Sequence, residues 1–389
     1  MTRRAALALL CVMVGWPSLA FAQLGRQLET AGVTWTPTIA LRDVGTDSNV
    51  YVVPGDGEGD RTATFTPSVS AKANSRLFAV QFDGILDFVY FEKFIQERSL
   101  NRKMNGRIQA ELGRISPFVT GTFDNSRERQ GDIDLRLRRR GYSYGGGVAA
   151  GVTAKATLEV SLTKGRATHD GGALFRGIAI ASSLDRRSEN LNAGFRYALT
   201  SLTNLALDFA RVRDFYDDDA LRNTVDQRLF ATLMFAPDAV IRGRLLVGYH
   251  RLRVKQGVPF KGILADVNIG YTFKESSRLN LRYYRDTNVS FDSPFNLQTQ
   301  YGIDLVQDIA GPLKATAGIS RQNTRHSENV FINQIRRLER YDSYAVGLAF
   351  YWSTSIRSAL AYDFQRRRSS LPTENFQRKR LLASVSLVL

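Results

Sequence analysis

The sequence predicts an all-β protein: a transmembrane, antiparallel, up-and-down β-barrel of about eighteen strands, with sixteen as the alternative count. Three observations predict this fold. Eighteen stretches between Val33 and Leu389 alternate apolar and polar residues with a period of two. The connections between these stretches are alternately short and long. No apolar run after residue 22 approaches the ~20 residues that a membrane-spanning helix needs.

The first 22 residues have the pattern of a secretory signal peptide. Arg3 and Arg4 precede a short apolar run, which ends in small residues at Ala20 and Ala22. A membrane anchor is the alternative, but the run is shorter than a spanning helix requires. The single cysteine, Cys11, lies within this segment. We therefore expect a mature chain without disulfide bonds or thiol chemistry.

Cleavage after residue 22 divides the chain into three parts: a signal peptide (1–22), a short periplasmic N-terminal segment (23–32) and an outer-membrane β-barrel (33–389). The formal charge of the whole chain is +16. Loss of Arg3 and Arg4 lowers it from +16 to +14. In an exported protein this charge favours anionic lipid headgroups, anionic glycans or small anions as partners, and we expect no nucleic acid.

The eighteen alternating stretches follow one another with no competing amphipathic helix. In order they are 33–42, 62–73, 76–90, 101–113, 115–125, 139–152, 155–166, 186–199, 203–214, 224–236, 240–253, 260–273, 277–287, 295–308, 312–323, 337–352, 355–367 and 375–389. Most reach the ~9–11 residues of a tilted membrane strand, whereas strands of soluble proteins usually have ~5–6. A propeller blade would need four strands in each forty-residue repeat, and only two long strands are found.

Connection lengths separate the two ends of the predicted barrel. The long polar connections are 43–61, 91–100, 126–138, 167–185, 215–223, 254–259, 288–294, 324–336 and 368–374. Short turns of one to a few residues alternate with them. Short turns on one rim, long loops on the other and an even strand count are typical of bacterial outer-membrane barrels, with both termini on the periplasmic, short-turn side. A soluble sandwich gives no reason for such segregation.

The hairpin from Ile263 to Arg285 shows the two predicted faces. Ile263, Val267 and Phe273 share an apolar face with the alternate residues between them, while Asp266 and Asn268 lie on the polar face. In the second arm the apolar positions alternate with Arg278, Asn280 and Arg282. If the apolar face contacts lipid, the polar face lines the lumen.

Aromatic residues cluster at the strand ends, as expected for two interfacial girdles. Tyr197, Phe235, Phe273, Phe350 and Trp352 adjoin short turns, whereas Phe88, Tyr90, Phe215, Tyr284 and Phe295 adjoin long loops. The alternative is that aromatic residues simply favour strands. The last strand alternates to the final residue and resembles the insertion signal that the barrel-assembly machinery reads, except that it ends in leucine.

The predicted lumen is polar and basic. Its pore-lining candidates are Arg107, Arg196, Arg242, Arg244, Asp266, Arg278, Arg282, Asp304, Arg357 and Arg380. About eighteen strands leave room for an aqueous channel, and cationic rings favour anions. The alternative is that individual arginines pair with carboxylates of neighbouring strands and only solvate the wall. A basic run, Arg136 and Arg138–Arg140, is expected to bind an acidic glycan or the phosphates of lipopolysaccharide.

Catalytic and metal-binding patterns are absent from the sequence. The three histidines have no ligand spacing, and no HExxH or nucleophile-elbow pattern occurs. A hydrolase using His250 with Asp266 or Ser290 stays open as an alternative. The acidic segments 43–60 and 217–219 offer oxygen ligands for calcium, but neither has the spacing of an EF-hand loop, and solvated loops are the preferred interpretation. We expect no catalytic residue, no cofactor and no resident metal.

Two short motifs near the N-terminus carry a family resemblance. They are Asp47-Ser48-Asn49-Val50-Tyr51 and Thr66-Pro67-Ser68. The sequence in this region resembles the β-barrel porin 2 family of Gram-negative bacteria, whose members are linked to exopolysaccharide export loci. The resemblance implies a glycan-export pore with no catalytic residues. The chain has no periplasmic helical-repeat domain, so export would need a separate periplasmic partner. It also has no N-terminal plug.

The leading hypothesis is therefore an outer-membrane channel with a basic aqueous lumen that passes polar or anionic solutes, in exopolysaccharide export or by diffusion. A structural or surface-binding barrel with a closed lumen is the second hypothesis, and an outer-membrane hydrolase is the third. The 167–185 loop, with Gly171, Gly172 and a small apolar stretch, is the predicted inward-folding constriction.

Overall fold

The computed structural model describes residues 28–30, 32–55, 57–130, 133–175, 178–237, 239–274, 276–291, 293–327 and 337–389. The predicted signal peptide and most of segment 23–32 lie outside them. In these ranges eighteen long strands form one antiparallel sheet. They are β1 (Val33–Asp47), β2 (Asp60–Asn74), β3 (Phe78–Phe91), β4 (Ser99–Ala110), β5 (Ile115–Gln130), β6 (Ile133–Thr153), β7 (Ala156–His169), β8 (Arg186–Ala198), β9 (Thr203–Tyr216), β10 (Thr224–Phe235), β11 (Ile241–Val254), β12 (Phe260–Phe273), β13 (Ser277–Asn288), β14 (Asn296–Ala310), β15 (Leu313–His326), β16 (Leu338–Tyr351), β17 (Ile356–Ser369) and β18 (Phe376–Val388).

The sheet closes on itself. Each strand pairs with the next along the chain, and β1 pairs with β18, from Thr38 opposite Val388 to Asp47 opposite Arg380. A three-residue strand, Leu28–Thr30, folds back on the start of β1. The predicted fold class is confirmed, with eighteen strands rather than sixteen. A closed barrel satisfies every strand edge, which is the condition for crossing a bilayer with β-structure.

One predicted long loop is wrong. The segment 126–138 continues the ladder of β5 and β6 almost to its tip, with Arg127 opposite Arg138. Its first arm, 126–130, is polar throughout, and in its second arm the apolar Leu137 lies on the inward face instead of the lipid-facing one, so the membrane-strand pattern is hidden here. A hydrogen-bonded ladder needs no apolar face once it rises beyond the hydrocarbon layer. The hairpin therefore projects above the barrel.

The other long connections carry the small helices. These are the helix α1 (Ile180–Leu184) and the 3₁₀ turns Ile95–Glu97, Ala220–Arg222 and Pro372–Glu374. A two-residue ladder, Leu174–Phe175 with Ile178–Ala179, precedes α1. No helix among the described residues has the length and apolar character needed to cross a membrane.

The seam between the first and last strands is locked by the segment around Asn49. The register of β1 shifts between Leu41 and Val44. Beyond the shift, a Cβ on Gly45 would lie 1.8 Å from the Leu381 carbonyl oxygen, so only glycine fits this close approach. The fully buried Asn49 side chain donates to the carbonyl oxygens of Val53 (2.8 Å) and Gln377 (3.1 Å). The loop after β1 is thereby attached to β18.

Candidate functional site: the barrel lumen

The two faces of the wall differ in chemistry. On the outer face of β12 and β13, Ile263 is 60% exposed, Tyr271 48% and Leu281 44%. On β14–β17 the outward residues Leu305, Ile319 and their neighbours line an apolar surface groove. The alternate residues of the same strands line an internal polar cavity. The wall is therefore apolar toward lipid and polar toward the lumen.

The internal cavity has a volume of about 700 Å³. One side consists of alternate residues of β14–β17: Asn296, Gln298, Gln300, Ser320, Gln322, Thr324, Glu339, Tyr341, Ser343 and Gln365. The facing side consists of Arg139, His169 and Arg186 from β6–β8 and Leu184 from α1. Amides, hydroxyls and guanidinium groups thus surround the cavity, a lining suited to a hydrated or multiply hydroxylated solute.

Apolar residues from separate connections meet above this cavity. Ile180 and Leu184 of α1, Leu137 of β6 and Phe291 of the connection 289–295 form a buried cluster. Arg222 then ties two of the connections together. Its Nη1 donates to the Phe291 carbonyl oxygen (2.9 Å), and its Nη2 contacts the Ser290 and Ser293 carbonyl oxygens. Helix α1, part of the 167–185 loop that was predicted as an inward-folding constriction, therefore packs against Phe291 from the connection between β13 and β14.

Several of the predicted lumen arginines are paired with carboxylates. Arg282 contacts Asp304 at 2.7 Å, Arg380 contacts Asp363 at 3.0 Å, and Arg244 contacts Asp266. Arg107 lies 3.7 Å from Glu159 and stacks 3.6 Å above the ring centre of Phe118. These groups are partly exposed, and such pairs contribute about 0–1 kcal/mol each. For these four arginines, the contacts match the alternative interpretation, in which arginines pair with carboxylates of neighbouring strands and only solvate the wall.

The other four predicted arginines have no such partner. Among the described residues, no carboxylate lies within 4.0 Å of Arg196, Arg242, Arg278 or Arg357. Arg357 stacks on Tyr351 at 5.2 Å. All four lie within the first or last three residues of their strands, beside the short turns. These four arginines therefore lie at the periplasmic end without a carboxylate within 4.0 Å among the described residues.

Two of these arginines converge on one glycine. Arg242 of β11 lies opposite Gly270 of β12, which in turn lies opposite Asn280 of β13. A Cβ on Gly270 would lie 3.3 Å from Arg242 Cγ and 3.6 Å from Arg278 Cδ, so both side chains pass over the same bare backbone. Arg242 donates to Thr272 Oγ1 at 2.9 Å. The buried Nε groups of both arginines have no acceptor among the described residues. Two neighbouring arginines of this kind can bind a carboxylate or phosphate.

The basic run after the β5–β6 tip is divided between the two faces. Arg139 points into the lumen, lies 3.5 Å from Asp124 and lines the cavity. Arg138 and Arg140 occupy the alternate, outward positions. Arg136 is nearly buried and donates to the Glu97 and Arg127 carbonyl oxygens. From the sequence, the run was interpreted as one surface. Because successive residues of a strand point to opposite faces, the sequence could have shown that Arg139 faces away from Arg138 and Arg140. Arg186, also in the cavity, was missed because it starts its strand.

Two of the ten residues assigned to the aromatic girdles are placed elsewhere. Phe295 is 8% exposed and packs against Phe260. Tyr284 occupies the inward position opposite Asp266. Outward tyrosines such as Tyr144, Tyr249 and Tyr301 are 60%, 52% and 42% exposed. Proximity to a loop did not reveal the side-chain direction, which depends on register.

His250 lies in a closed ion cluster rather than an accessible catalytic site. Its side chain is 1% exposed, with Nδ1 3.5 Å from Asp226 and 3.8 Å from Asp286. Arg228 contacts both of these carboxylates at 2.6 Å. Asp266, the partner considered for a hydrolase, contacts Arg244 instead. A substrate in the lumen cannot reach His250 in this arrangement.

The acidic loops are occupied by contacts within the protein. Asp47 accepts from Arg378 Nε at 2.9 Å, and Asp60 accepts from the Lys93 and Phe94 amides at 3.0 Å. Asp217 contacts Arg166 at 3.0 Å and Arg187 at 3.3 Å. In the described ranges, no three potential ligands converge on a metal position. Asp56 lies outside those ranges.

No protein-family model matches the chain, and the curated proteins include no matching relative. Solved outer-membrane channels are similar in structure. The Pseudomonas aeruginosa OpdK structure with vanillate is 12% identical with a TM-score of 0.54, over 91% of this chain and 99% of that chain. P. aeruginosa OccK2 (OpdF) in complex with glucuronate is 12% identical with a TM-score of 0.55, over 91% and 98%.

A BenF-like porin from Pseudomonas fluorescens Pf-5 is also 12% identical, with a TM-score of 0.56, over 92% of this chain and 99% of that chain. At this identity the comparisons show the fold alone. Together with the closed ladder and the apolar outer face, they identify an 18-stranded barrel of the outer-membrane porin type, and its location is the bacterial outer membrane.

Proposed function

We propose that this protein is an outer-membrane channel that passes small polar anions, in particular organic acids and acidic sugars, through a basic aqueous lumen. The observation that carries the proposal is the unequal charge of the inward face. Carboxylates lie beside the arginines midway along the barrel, whereas Arg196, Arg242, Arg278 and Arg357 lack them at the periplasmic end. An anion in the lumen therefore meets four arginines without a carboxylate contact at the periplasmic end.

The polar cavity supports the same assignment. Its lining of amides, hydroxyls and two arginines offers both donors and acceptors, which a sugar acid requires. Two structurally similar channels were solved with vanillate and in complex with glucuronate, both of which carry a carboxylate. These ligands belong to those proteins, but they indicate that this barrel architecture accommodates a solute of the proposed size and charge.

The finer part of the proposal is a role in exopolysaccharide export. It is supported by the resemblance of the Asp47–Tyr51 segment to a family linked to such loci, and by a cavity lining that suits hydroxylated chains. Export of a polymer would require a periplasmic partner that presents the chain at the short-turn rim, where the free arginines lie. The cluster around α1 would have to move aside for a polymer to pass.

Planar-bilayer recording of the purified barrel tests the channel proposal. We expect single-channel steps and, in a tenfold potassium chloride gradient, a reversal potential that favours chloride. Proteoliposomes should take up glucuronate faster than glucose, and glucose faster than a cationic amino sugar. Electrical silence together with the absence of swelling would favour the alternative, a structural barrel with a closed lumen. Passage of glucuronate without passage of oligoglucuronate would restrict the function to small solutes.

A further inference from the structure

Five cations on the outside of the barrel form a group without counter-charges. Arg211 and Arg213 lie on β9, Arg251 and Arg253 on β11, and Lys261 on β12. The registers place Gln227 of β10 between Arg211 and Arg251, and Val225 between Arg213 and Arg253. We refer to these five residues as the basic array. With strands about 4.8 Å apart, its four arginines cover roughly 10 by 7 Å.

The basic array has no partner among the described residues. None of its members contacts a carboxylate or forms a side-chain hydrogen bond there, and the buried Nε groups of Arg211 and Arg251 have no acceptor. Arg251 lies directly opposite Lys261, an arrangement of like charges that destabilises a sheet. Glu189 of β8 lies opposite Arg213 in the strand register, but its carboxylate contacts Lys164 at 3.3 Å instead. Such a surface is stabilised by an external anion.

The height of the array on the wall identifies the kind of anion. The next outward residues toward the membrane centre are Phe209, Leu229, Tyr249 and Ile263, which are 38%, 62%, 52% and 60% exposed. The array therefore begins where the lipid-facing band ends, on the rim with the long connections. That rim is the extracellular one in barrels of this type. A phosphate held here belongs to a lipid whose acyl chains cover the apolar band below.

We propose that the basic array binds the phosphates of lipopolysaccharide in the outer leaflet. Four guanidinium groups within about 10 Å match a phosphorylated disaccharide headgroup, because arginine contacts phosphate oxygens in pairs. A second outward group on β15–β17 differs, because Arg321 and Arg340 lie 2.6 and 3.2 Å from Asp342, which compensates part of their charge.

Binding of purified lipid A to the folded barrel in detergent, measured by native mass spectrometry and by calorimetry, tests this site. We expect Arg211→Gln with Arg251→Gln to weaken binding of bisphosphorylated lipid A by about 10- to 30-fold, the effect of two interfacial cations. The matched control, Arg114→Gln with Lys155→Gln, removes the same charge from exposed positions beside short turns, on the other rim of the barrel. It should leave binding unchanged, and heat-modified gel mobility reports folding of both variants.

Three outcomes would overturn the proposal. Dephosphorylated lipid A could bind the native protein as tightly as the bisphosphorylated form, which would exclude phosphate recognition. Phosphatidylglycerol could compete as well as lipid A, which would make the array a general anionic-lipid surface. The array variant could instead change the oligomeric state without changing lipid binding, which would assign this face to a second copy of the chain. None of these results bears on conductance, so the channel proposal is tested separately.

Discussion

The inward arginines differ in their surroundings, and this difference predicts their separate roles. Arg282 and Arg244 contact carboxylates of the next strands, so their charge is compensated at short range. Arg242 and Arg278 converge over Gly270 with no carboxylate among the described residues within 4.0 Å. A solute anion adds a counter-charge only at the second kind of position.

Replacing Arg242 and Arg278 together by glutamine should therefore reduce anion preference. We expect the chloride-to-potassium permeability ratio to fall several-fold, because about two uncompensated charges leave the periplasmic mouth. The measurement is the reversal potential in asymmetric salt. The control pair Arg282→Gln with Asp304→Asn removes an ion pair without a change in net charge, and it should leave the ratio nearly unchanged. Equal effects of both pairs would contradict this role for the free arginines.

The two faces of β12 predict opposite effects at adjacent residues. Val267→Lys puts a charge on the lipid-facing side at mid-strand and should destabilise the folded barrel by about 2–4 kcal/mol. Asn268→Lys puts the same charge on the inward side and should leave stability nearly unchanged. Urea titration of folding into lipid vesicles measures both variants. If Asn268→Lys were the more damaging change, the assignment of the faces would be wrong.

At the scale of elements, the connections between strands determine how wide the path is and how the seam is held, which the strands alone do not. Helix α1 and the connection 289–295 pack together over the cavity through Ile180, Leu184 and Phe291. At the seam between the first and last strands, the loop after β1 attaches to β18 through Asn49. The first arrangement narrows the path, and the second stabilises the barrel seam.

Removal of the helix segment 178–184 should widen the path. We expect single-channel conductance to increase, since the cluster that spans the lumen loses Ile180 and Leu184. Leu137→Ala with Phe291→Ala, which keeps the helix but loosens its contacts, should give a smaller increase with more frequent flickering. Leu371→Ala, in a different extracellular connection and 40% exposed, is the control. Unchanged conductance after the deletion would show that α1 is not the constriction.

The seam predicts a stability effect without a functional one. Asn49→Ala removes three hydrogen bonds between the fully buried Asn49 side chain and the Val53 and Gln377 backbone groups, which should cost about 1–3 kcal/mol in the free energy of unfolding. Thermal unfolding in detergent, followed by gel mobility, measures the loss. Glu58→Gln changes an exposed side chain of the same loop and should have no effect. A loss of conductance at native stability would contradict a purely structural role.

For the whole molecule, the relevant quantity is the electrostatic field produced by all the charges of the barrel. The chain carries a formal charge of +16 including its predicted signal peptide, so the barrel as a unit attracts anions. Salt screens this field over about 10 Å at 0.1 M and about 3 Å at 1 M. An effect of individual bound ions would persist at high salt, whereas an effect of the field would not.

Anion preference should accordingly decrease as ionic strength increases. We expect the permeability ratio measured in 0.1 M potassium chloride to approach that of free ions in 1 M. The Arg242→Gln, Arg278→Gln variant should show a weaker salt dependence than the native protein, because less of the field remains to be screened. A ratio independent of salt would show that steric fit at the constriction, and not charge, selects the ion.

Sequence and structure agree where a single periodicity controls the outcome. The predicted bounds 260–273 match β12, Phe260–Phe273, because lipid on one side and water on the other enforce strict alternation. They disagree at 126–138, where the hairpin has left the bilayer: its first arm is polar throughout, and Leu137 of its second arm faces inward. Tyr284 and Phe295 show the same limit, since their direction depends on register and on contacts with distant residues.

The sequence by itself determined the class, a strand count of about eighteen and the polar character of the inner face, because these follow from how residues alternate along each strand. The tertiary structure alone decided which arginines are neutralised. Arg244 and Arg278 look alike in sequence, but only Arg244 has a carboxylate within reach. It also decided that Arg211 and Arg251 lie side by side across β10. Charge compensation depends on neighbours across strands, and that adjacency is fixed only when the barrel closes in register.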